Sequence, residues 1–312
     1  MIAPLYSNLP FVSVIIPVYN GEKTILACLE SVFSNNYPCF EVIVCNDCST
    51  DRTLEFLNLI KDPRLKLINF SINSKTMGSA ARNAGIVLAK GDIILLLDSD
   101  TIVKSDWINL HINTYKKNNK IQVVGGGVKG IHKTISGQAD DYCSWWTSIP
   151  YSRSRYIKKL HLPTNNLSLR KEVFEKLGLF DETLKGGEDA EFFSRIIKQK
   201  IPCYFNSRII IKHKDRDSLK SYLKHQYVFG LHAVNMRKRN KMDYSFLMPS
   251  SYFLSWFYIL PLAKLYTLFT ILKWLPYKPQ IVFYIHLVFL GKLAQAIAIK
   301  DSLKTKLESN LC

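Results

Sequence analysis

The sequence predicts an α/β chain: a mostly parallel sheet with helices on both faces, followed by hydrophobic helices at the C-terminal end. Three observations carry this expectation. Short apolar runs alternate with helix-period segments from residue 11 to residue 128, the order that builds a parallel sheet from βαβ units. The fourth apolar run, residues 92–100, has an unbroken apolar centre, as a strand buried on both faces requires. From Tyr244 to Ala263 the chain carries no charged residue, a stretch of about twenty residues that approaches the length needed to cross a bilayer.

The elements follow in order. Residues 11–19 read as a first strand. The apolar core of that run, Val12 to Val18, is short, follows no basic region and contains Pro17, so it does not read as a signal segment. Residues 22–35 form a helix closed by the turn residues Asn35, Asn36 and Pro38. A strand over 39–47 leads into a helix over 49–61, with Ser49 or Thr50 as its cap. Residues 64–70 are a third strand, and 76–89 a third helix ended by Gly91. After the fourth strand come a helix from Ser105 to Lys117 and a strand over 121–128.

Beyond residue 130 the pattern loosens. Residues 131–162 are rich in Ser, Tyr, Trp and Arg without a clear period, and read as a substrate-facing loop region. A strand and short helix over 165–182, a helix over 186–200 opened by glycines and acids, and a closing hairpin over 201–214 follow. Residues 218–241 form a basic helix leading into the apolar tail.

Composition narrows the classes. The 312 residues are 47% hydrophobic and 21% charged, which supports a packed core and excludes wholesale disorder. A formal charge of +17 calls for an anionic partner: a nucleotide substrate, an acidic membrane surface or a nucleic acid. The seven cysteines lack the spacing of a disulfide framework, which points to a reducing compartment. No zinc-finger or RNA-recognition signature accompanies the charge, so nucleic acid is not expected as the partner.

Chemistry concentrates at the strand ends. Asn20, Asp47, Asp98 and Asp100 lie at the carboxyl ends of predicted strands, where ligands of such sheets sit. Asp98 and Asp100, spaced i and i+2, can turn toward one hard divalent cation; alternatively, Asp100 caps a following helix. Asp47 sits among turn formers and can be one of them. Glu188 and Asp189 open a helix, where acids meet the helix dipole, or where one serves as a general base. Cys45 and Cys48 have redox-motif spacing, but no second pair completes a zinc site. His213 is a structural histidine or part of a metal shell.

Residues 12–51, 78–85, 91–100, 165–182 and 186–196 together resemble the family 2 glycosyltransferases, which have the GT-A fold. The resemblance runs in order from residue 11 to residue 215. It implies that Asp47 contacts a nucleotide base, with Pro17, Tyr19 and Asn20 lining the same pocket. Arg82 would lie near the donor phosphates. Asp98 would meet the ribose or a metal, and Asp100 would ligate that metal, Mn²⁺ or Mg²⁺. Asp189 would deprotonate the acceptor hydroxyl, with Glu188 shaping the site, and His213 matches a histidine sometimes found near the metal. The implied reaction inverts the anomeric carbon, using a UDP-, GDP- or dTDP-linked sugar and a glycan or lipid-linked acceptor. Where the family commonly has two acids and a glycine, this chain has Asn46, Asp47 and Cys48, so Cys48 must adopt a backbone conformation suited to glycine. No Q-x-x-R-W motif is present, which favours single additions over processive synthesis.

The resemblance and the tail imply three regions: a catalytic domain over 1–215, a basic linking helix over 216–243 and a membrane-associated tail over 244–312. The second apolar stretch, 281–299, carries His286 and Lys292. The pair forms a membrane hairpin, an interfacial anchor or two core helices; Lys264 and Lys273 disfavour the bilayer centre. Arg237, Lys238, Arg239 and Lys241 before the tail, and Lys300, Lys304 and Lys306 after it, place both ends on the cytoplasmic face of the cell membrane. Two rivals remain: a nucleotidyltransferase, which lacks its glycine-rich phosphate loop here, and a membrane-tethered, non-catalytic sugar-nucleotide or glycan binding module.

Overall fold

The computed structural model describes residues 9–158, 161–240, 249 and 251–309, with backbone alone at 234–240 and 305–309. Tyr244 at the start of the apolar run, Lys241, and the side chains of Arg237, Lys238, Arg239 and Lys306 lie outside the described residues. The chain forms two compact units: Met1–Val128 with Pro150–His213, and Lys129–Ile149 with Lys214–Cys312.

The elements in chain order begin with β1 (Val12–Val18), α1 (Ile25–Phe33), β2 (Phe40–Asn46), α2 (Thr53–Leu59), β3 (Leu65–Asn69), α3 (Ser79–Leu88) and β4 (Ile93–Leu97). Then come β5 (Thr101–Ile102), α4 (Trp107–Lys117), β6 (Val123–Ile131), α5 (Ile135–Ser144), β7 (Arg155–Ile157) and β8 (Asn166–Arg170). The last are α6 (Lys171–Leu177), α7 (Glu188–Lys198), β9 (Cys203–Lys214), α8 (Leu219–Asn240), α9 (Tyr252–Trp274), a 3₁₀ turn at Pro279–Tyr284 and α10 (Ile285–Ser309).

Among the described residues the strands form one mixed sheet in the order β3-β2-β1-β4-β8-β6-β9-β5. The first four are parallel, with Val12 opposite both Phe40 and Ile93. β8 then joins β4 antiparallel, Ile93 facing Arg170. The strands β1, β2 and β4 are β-branched or leucine-rich and almost wholly buried, as parallel strands covered on both faces must be. Pro17 lies past the last β1 residue paired with β4, Ile15, so its missing N–H costs no bond on that side. The strand order reverses between β1 and β4. That switch point opens a crevice at the carboxyl ends, the place where such sheets hold ligands.

Several local expectations change. Neither Ser49 nor Thr50 caps α2: Thr50 donates its N–H and hydroxyl to Asn20 Oδ1, and Ser49 Oγ accepts from the Asn20 N–H. Asp51 instead takes the Thr53 N–H at 3.0 Å. Gly91 does not stop α3, which ends at Leu88; a Cβ on Gly91 would stand 2.5 Å from the Ser13 nitrogen of β1. Residues 201–214 are not a hairpin but one strand, β9, whose antiparallel partners β5 and β7 come from earlier in the chain. The expected loop over 131–162 contains α5, capped by Thr134 Oγ1 accepting the Gly137 N–H at 3.1 Å. Its polar sequence hid it because its acids face inward: Asp140 and Asp141 are buried.

In the second unit α5, α8, α9 and α10 pack together. Asp140 accepts from His225 Nδ1 and Gln226 Nε2, both at 2.9 Å. Asp141 accepts from the Gly130 N–H at 3.0 Å and pairs with Lys278 at 2.8 Å. Such buried charges are tolerable because each is hydrogen-bonded. By length and composition Tyr252–Trp274 and Pro279–Lys304 could each cross a membrane.

Candidate active site

The crevice at the β1–β4 switch holds a cavity of about 510 Å³, within the range of small-ligand sites. Pro17 and Tyr19 reach it from the end of β1, Asp47 from β2, Arg82 from α3, and Asp98 and Asp100 from the end of β4. Among the lining residues not anticipated from the sequence are Asn73, Lys75 and Met77. They belong to the segment before α3, which begins at Ser79 and not at Thr76. Asn73 and Ser74 are turn formers that could have marked this segment as a loop.

Arg82 organises the site. It is buried, and its two terminal nitrogens diverge: Nη2 donates to Asp98 Oδ1 at 2.8 Å, Nη1 to Glu188 Oε1 at 3.0 Å. A guanidinium fork suits this double duty, as a lysine ammonium does not. Gly78 permits it, since a Cβ there would approach Nη1 to 3.0 Å and its φ is +97°, a region costly for other residues. Burial pulls the guanidinium pKa down, but Asp98 and Glu188 outweigh it and hold the pKa above the ordinary value.

Glu188 and Asp189 start α7 behind Gly186 and Gly187, both at positive φ. Thus the dipole-facing position and the approach to the site are the same position. Burial pushes the Glu188 carboxyl up, Arg82 opposes this, and Asp189 adds to it, for a value of about 7. The guanidinium is shared between two carboxylates, so it does not offset the burial of both; the upward direction follows. The folded protein therefore keeps a proton that the unfolded chain has lost, and stability falls as pH rises from about 4.5 to about 7. Glu188→Gln removes that slope. In melting curves across this interval, the Tm of the variant minus that of the wild type should rise with pH.

Asp47 is buried and holds the 73–77 loop: its carboxylate accepts from the Ser74 N–H and hydroxyl, each at 2.7 Å. Its wall position and these bonds coexist, because a carboxylate has further lone pairs. Cys48 has φ +56°, the glycine-like conformation expected of it. The C-x-x-C pair is not redox chemistry. Cys45 lies in the core with its thiol pushed up to about 12 by burial, and Cys48 donates to the Ser71 carbonyl at 3.5 Å. Asn20, at φ +53°, is not on the cavity wall; its amide oxygen secures Thr50 beneath it.

Asp100 does not cap a helix. It precedes β5, and α4 starts only at Trp107 after Asp106. The β5–β9 ladder pairs Thr101 with His213, which brings His213 Nε2 to 3.4 Å from Asp100 Oδ1. Two donors at that separation can both meet one divalent cation at bonds of about 2.1–2.2 Å. Among the described residues no three His, Cys, Asp or Glu side chains converge as a complete cage. The donor set therefore fits a cation that takes its other ligands from water and substrate phosphates, as Mg²⁺ does.

The profile of Glycosyl transferase family 2 matches residues 13–178, which include Asp47, Arg82, Asp98 and Asp100. The chain belongs to glycosyl transferase family 2. Glycosyltransferase AglE of Haloferax volcanii is 33% identical to this family 2 transferase over 227 residues, 72% of this chain and 73% of its own. The dolichyl N-acetyl-α-D-glucosaminyl phosphate 3-β-D-2,3-diacetamido-2,3-dideoxy-β-D-glucuronosyltransferase of Methanococcus voltae is 28% identical over 250 residues, 77% of this chain and 78% of its own. The fold matches the mannosyltransferase PcManGT of Pyrobaculum calidifontis, solved with GDP-mannose and Mn²⁺: TM-score 0.62 at 16% identity, over 95% of this chain and 89% of that one. The chain is thus a glycosyltransferase with the GT-A fold, an enzyme of sugar transfer.

Proposed function

We propose that this transferase moves a sugar, with inversion and with the help of Mn²⁺ or Mg²⁺, from a UDP-, GDP- or dTDP-linked donor to a hydroxyl of a lipid-linked glycan. One observation carries the reading: Arg82 ties Asp98, at the end of β4, to Glu188, at the start of α7. That bridge brings a donor-side acid and the Glu188–Asp189 pair around one guanidinium.

In this reading Pro17, Tyr19 and Asp47 receive the nucleotide base, and Asn20 holds the loop behind them. Arg82 faces the donor phosphates, and Asp98 meets the ribose. Asp100 and His213 would hold the cation, with Asp98 beside them at the ribose or the edge of the cation's shell. When bound, the cation neutralises charge gathering on the diphosphate leaving group. Asp189 accepts the proton of the acceptor hydroxyl as its oxygen attacks the anomeric carbon from the face opposite the diphosphate. Glu188 keeps Arg82 oriented. One displacement needs one base and no covalent sugar–enzyme intermediate, so the configuration inverts.

Residues 1–215 carry this chemistry, 216–243 link, and 244–312 attach the enzyme to the cytoplasmic face of the cell membrane. The Methanococcus relative, named for a dolichyl phosphate-linked sugar, supports a lipid-linked acceptor. The test is sugar transfer from labelled UDP-, GDP- and dTDP-sugars into membrane lipid extract, with Mn²⁺ or with EDTA. One donor should be used, EDTA should abolish transfer, and the product's anomeric configuration should be opposite to the donor's. A product of retained configuration would overturn the single-displacement reading.

A further inference from the structure

The helix α9 is built inside out for a protein in water. Its buried stripe is Ser255, Leu262, Ala263, Thr267, Thr270 and Trp274, four of the six small or hydroxylated. Thr267 and Thr270 turn their hydroxyls back onto the Ala263 and Tyr266 carbonyls, each at 2.8 Å, so the polar atoms on this face are satisfied within the helix. The opposite face carries the large apolar groups. Phe253 is 71% exposed, Trp256 56%, Phe257 79%, Leu260 55%, Leu268 53% and Leu272 59%. Beyond the end of α9 the exposed apolar surface continues through Tyr277 and Phe283. A water-facing helix shows the reverse arrangement, and a continuous apolar patch of this kind marks a membrane or partner surface.

Two further observations select the occupant and its geometry. The first is Lys264, exposed at the middle of the 23-residue helix. In a spanning helix it would sit at the bilayer centre, where an ammonium is costly; in a helix lying in the interface it reaches the phosphates. Lys300, with its ammonium 4.3 Å from the Trp256 ring centre, is paired with Asp301 at 3.1 Å, so the charge that complements anionic headgroups on this face is that of Lys264.

The second is α10, which has the length and hydropathy of a span but is tied by polar contacts to the other helices of its unit. Lys292 is buried and donates to the Cys143 carbonyl of α5 at 3.1 Å. Gln295 donates to Gln226 of α8 at 2.6 Å, and a Cβ on Gly230 of α8 would stand 2.3 Å from the Gln295 carbonyl. A hairpin crossing the bilayer would draw α8, with Lys220, Lys224 and His225, into hydrocarbon along with α10. The packing opposes it.

We propose that α9 is an in-plane membrane anchor: it lies along the cytoplasmic surface of an anionic bilayer with Phe253, Trp256, Phe257 and Leu260 among the upper acyl chains, and neither α9 nor α10 spans. This deepens the membrane attachment proposed above and rests on it.

The test uses the full chain expressed in bacteria, fractionated, with Gln280→Cys as a reporter in the turn between the two helices. The enzyme should sediment with membranes. The introduced thiol should react with an impermeant maleimide in sealed inverted vesicles, above the wild-type background, and not in intact spheroplasts. The double variant Phe253→Ser/Phe257→Ser should shift the membrane-to-soluble ratio by about tenfold or more, from the lost apolar burial, with the Tm unchanged. Labelling only from the spheroplast side would overturn the in-plane geometry while leaving membrane attachment intact. Recovery of the wild type in the soluble fraction would overturn both. Unchanged sedimentation of the double variant would remove α9 as the anchor.

Discussion

Replacing Arg82 by methionine is expected to destabilise the enzyme by about 3–5 kcal/mol, the cost of removing one partner from a buried ion-pair network. The effect is large because one guanidinium serves both Asp98 and Glu188, at 2.8 and 3.0 Å. Its loss leaves Glu188 buried with Asp189 as its neighbouring charge, and the start of α7 loses its tie to β4. Urea unfolding monitored by fluorescence measures the loss. Arg82→Lys restores charge but not the fork, so it should recover only part of the stability. Pairing Arg82→Met with Glu188→Gln separates the bridge from packing. If Glu188 is the group left stranded, the double variant should be more stable than Arg82→Met alone.

Asp189→Asn is expected to lower kcat by about 10²–10⁴, the usual contribution of a positioned general base. The donor KM and the Tm should stay near wild type. The side chain is half-buried at the α7 N-terminus, and it accepts a hydrogen bond from the adjacent Ala190 N–H, which an amide oxygen can also accept. Steady-state kinetics with varied donor concentration make the distinction. A raised donor KM at constant kcat would move Asp189 from proton transfer to donor binding.

Most of the parallel half of the fold was legible, because β1, β2 and β4 announce themselves as short apolar runs and their carboxyl ends carry Asp47, Asp98 and Asp100. The acids of α7 were legible as a pair, since Gly186 and Gly187 precede them. What the sequence did not disclose depends on long-range partners. Thr50 looks like a cap until Asn20, thirty residues earlier, claims it. The α5 segment looks like a loop because its acids are satisfied by groups such as His225 and Lys278, far along the chain. His213 gains its meaning only from the β5–β9 register, which places it beside Asp100. The loop bearing Lys75 and Met77 was read in part as helix for another reason: both residues adopt positive φ without being glycine, so only the turn formers Asn73 and Ser74 mark the bend.

The acids beyond β4 are expected to hold a divalent cation together with a nucleotide diphosphate. Calorimetric titration of UDP, GDP and dTDP into the wild type and Asp100→Ala, with Mn²⁺ or with EDTA, tests it without any acceptor. One nucleotide should bind with Mn²⁺ and weaken sharply in EDTA, and Asp100→Ala should reduce the Mn²⁺-dependent affinity by tenfold or more (about 1.4 kcal/mol). Equal affinity with and without metal, in a wild type and a variant that are both folded, would contradict that expectation.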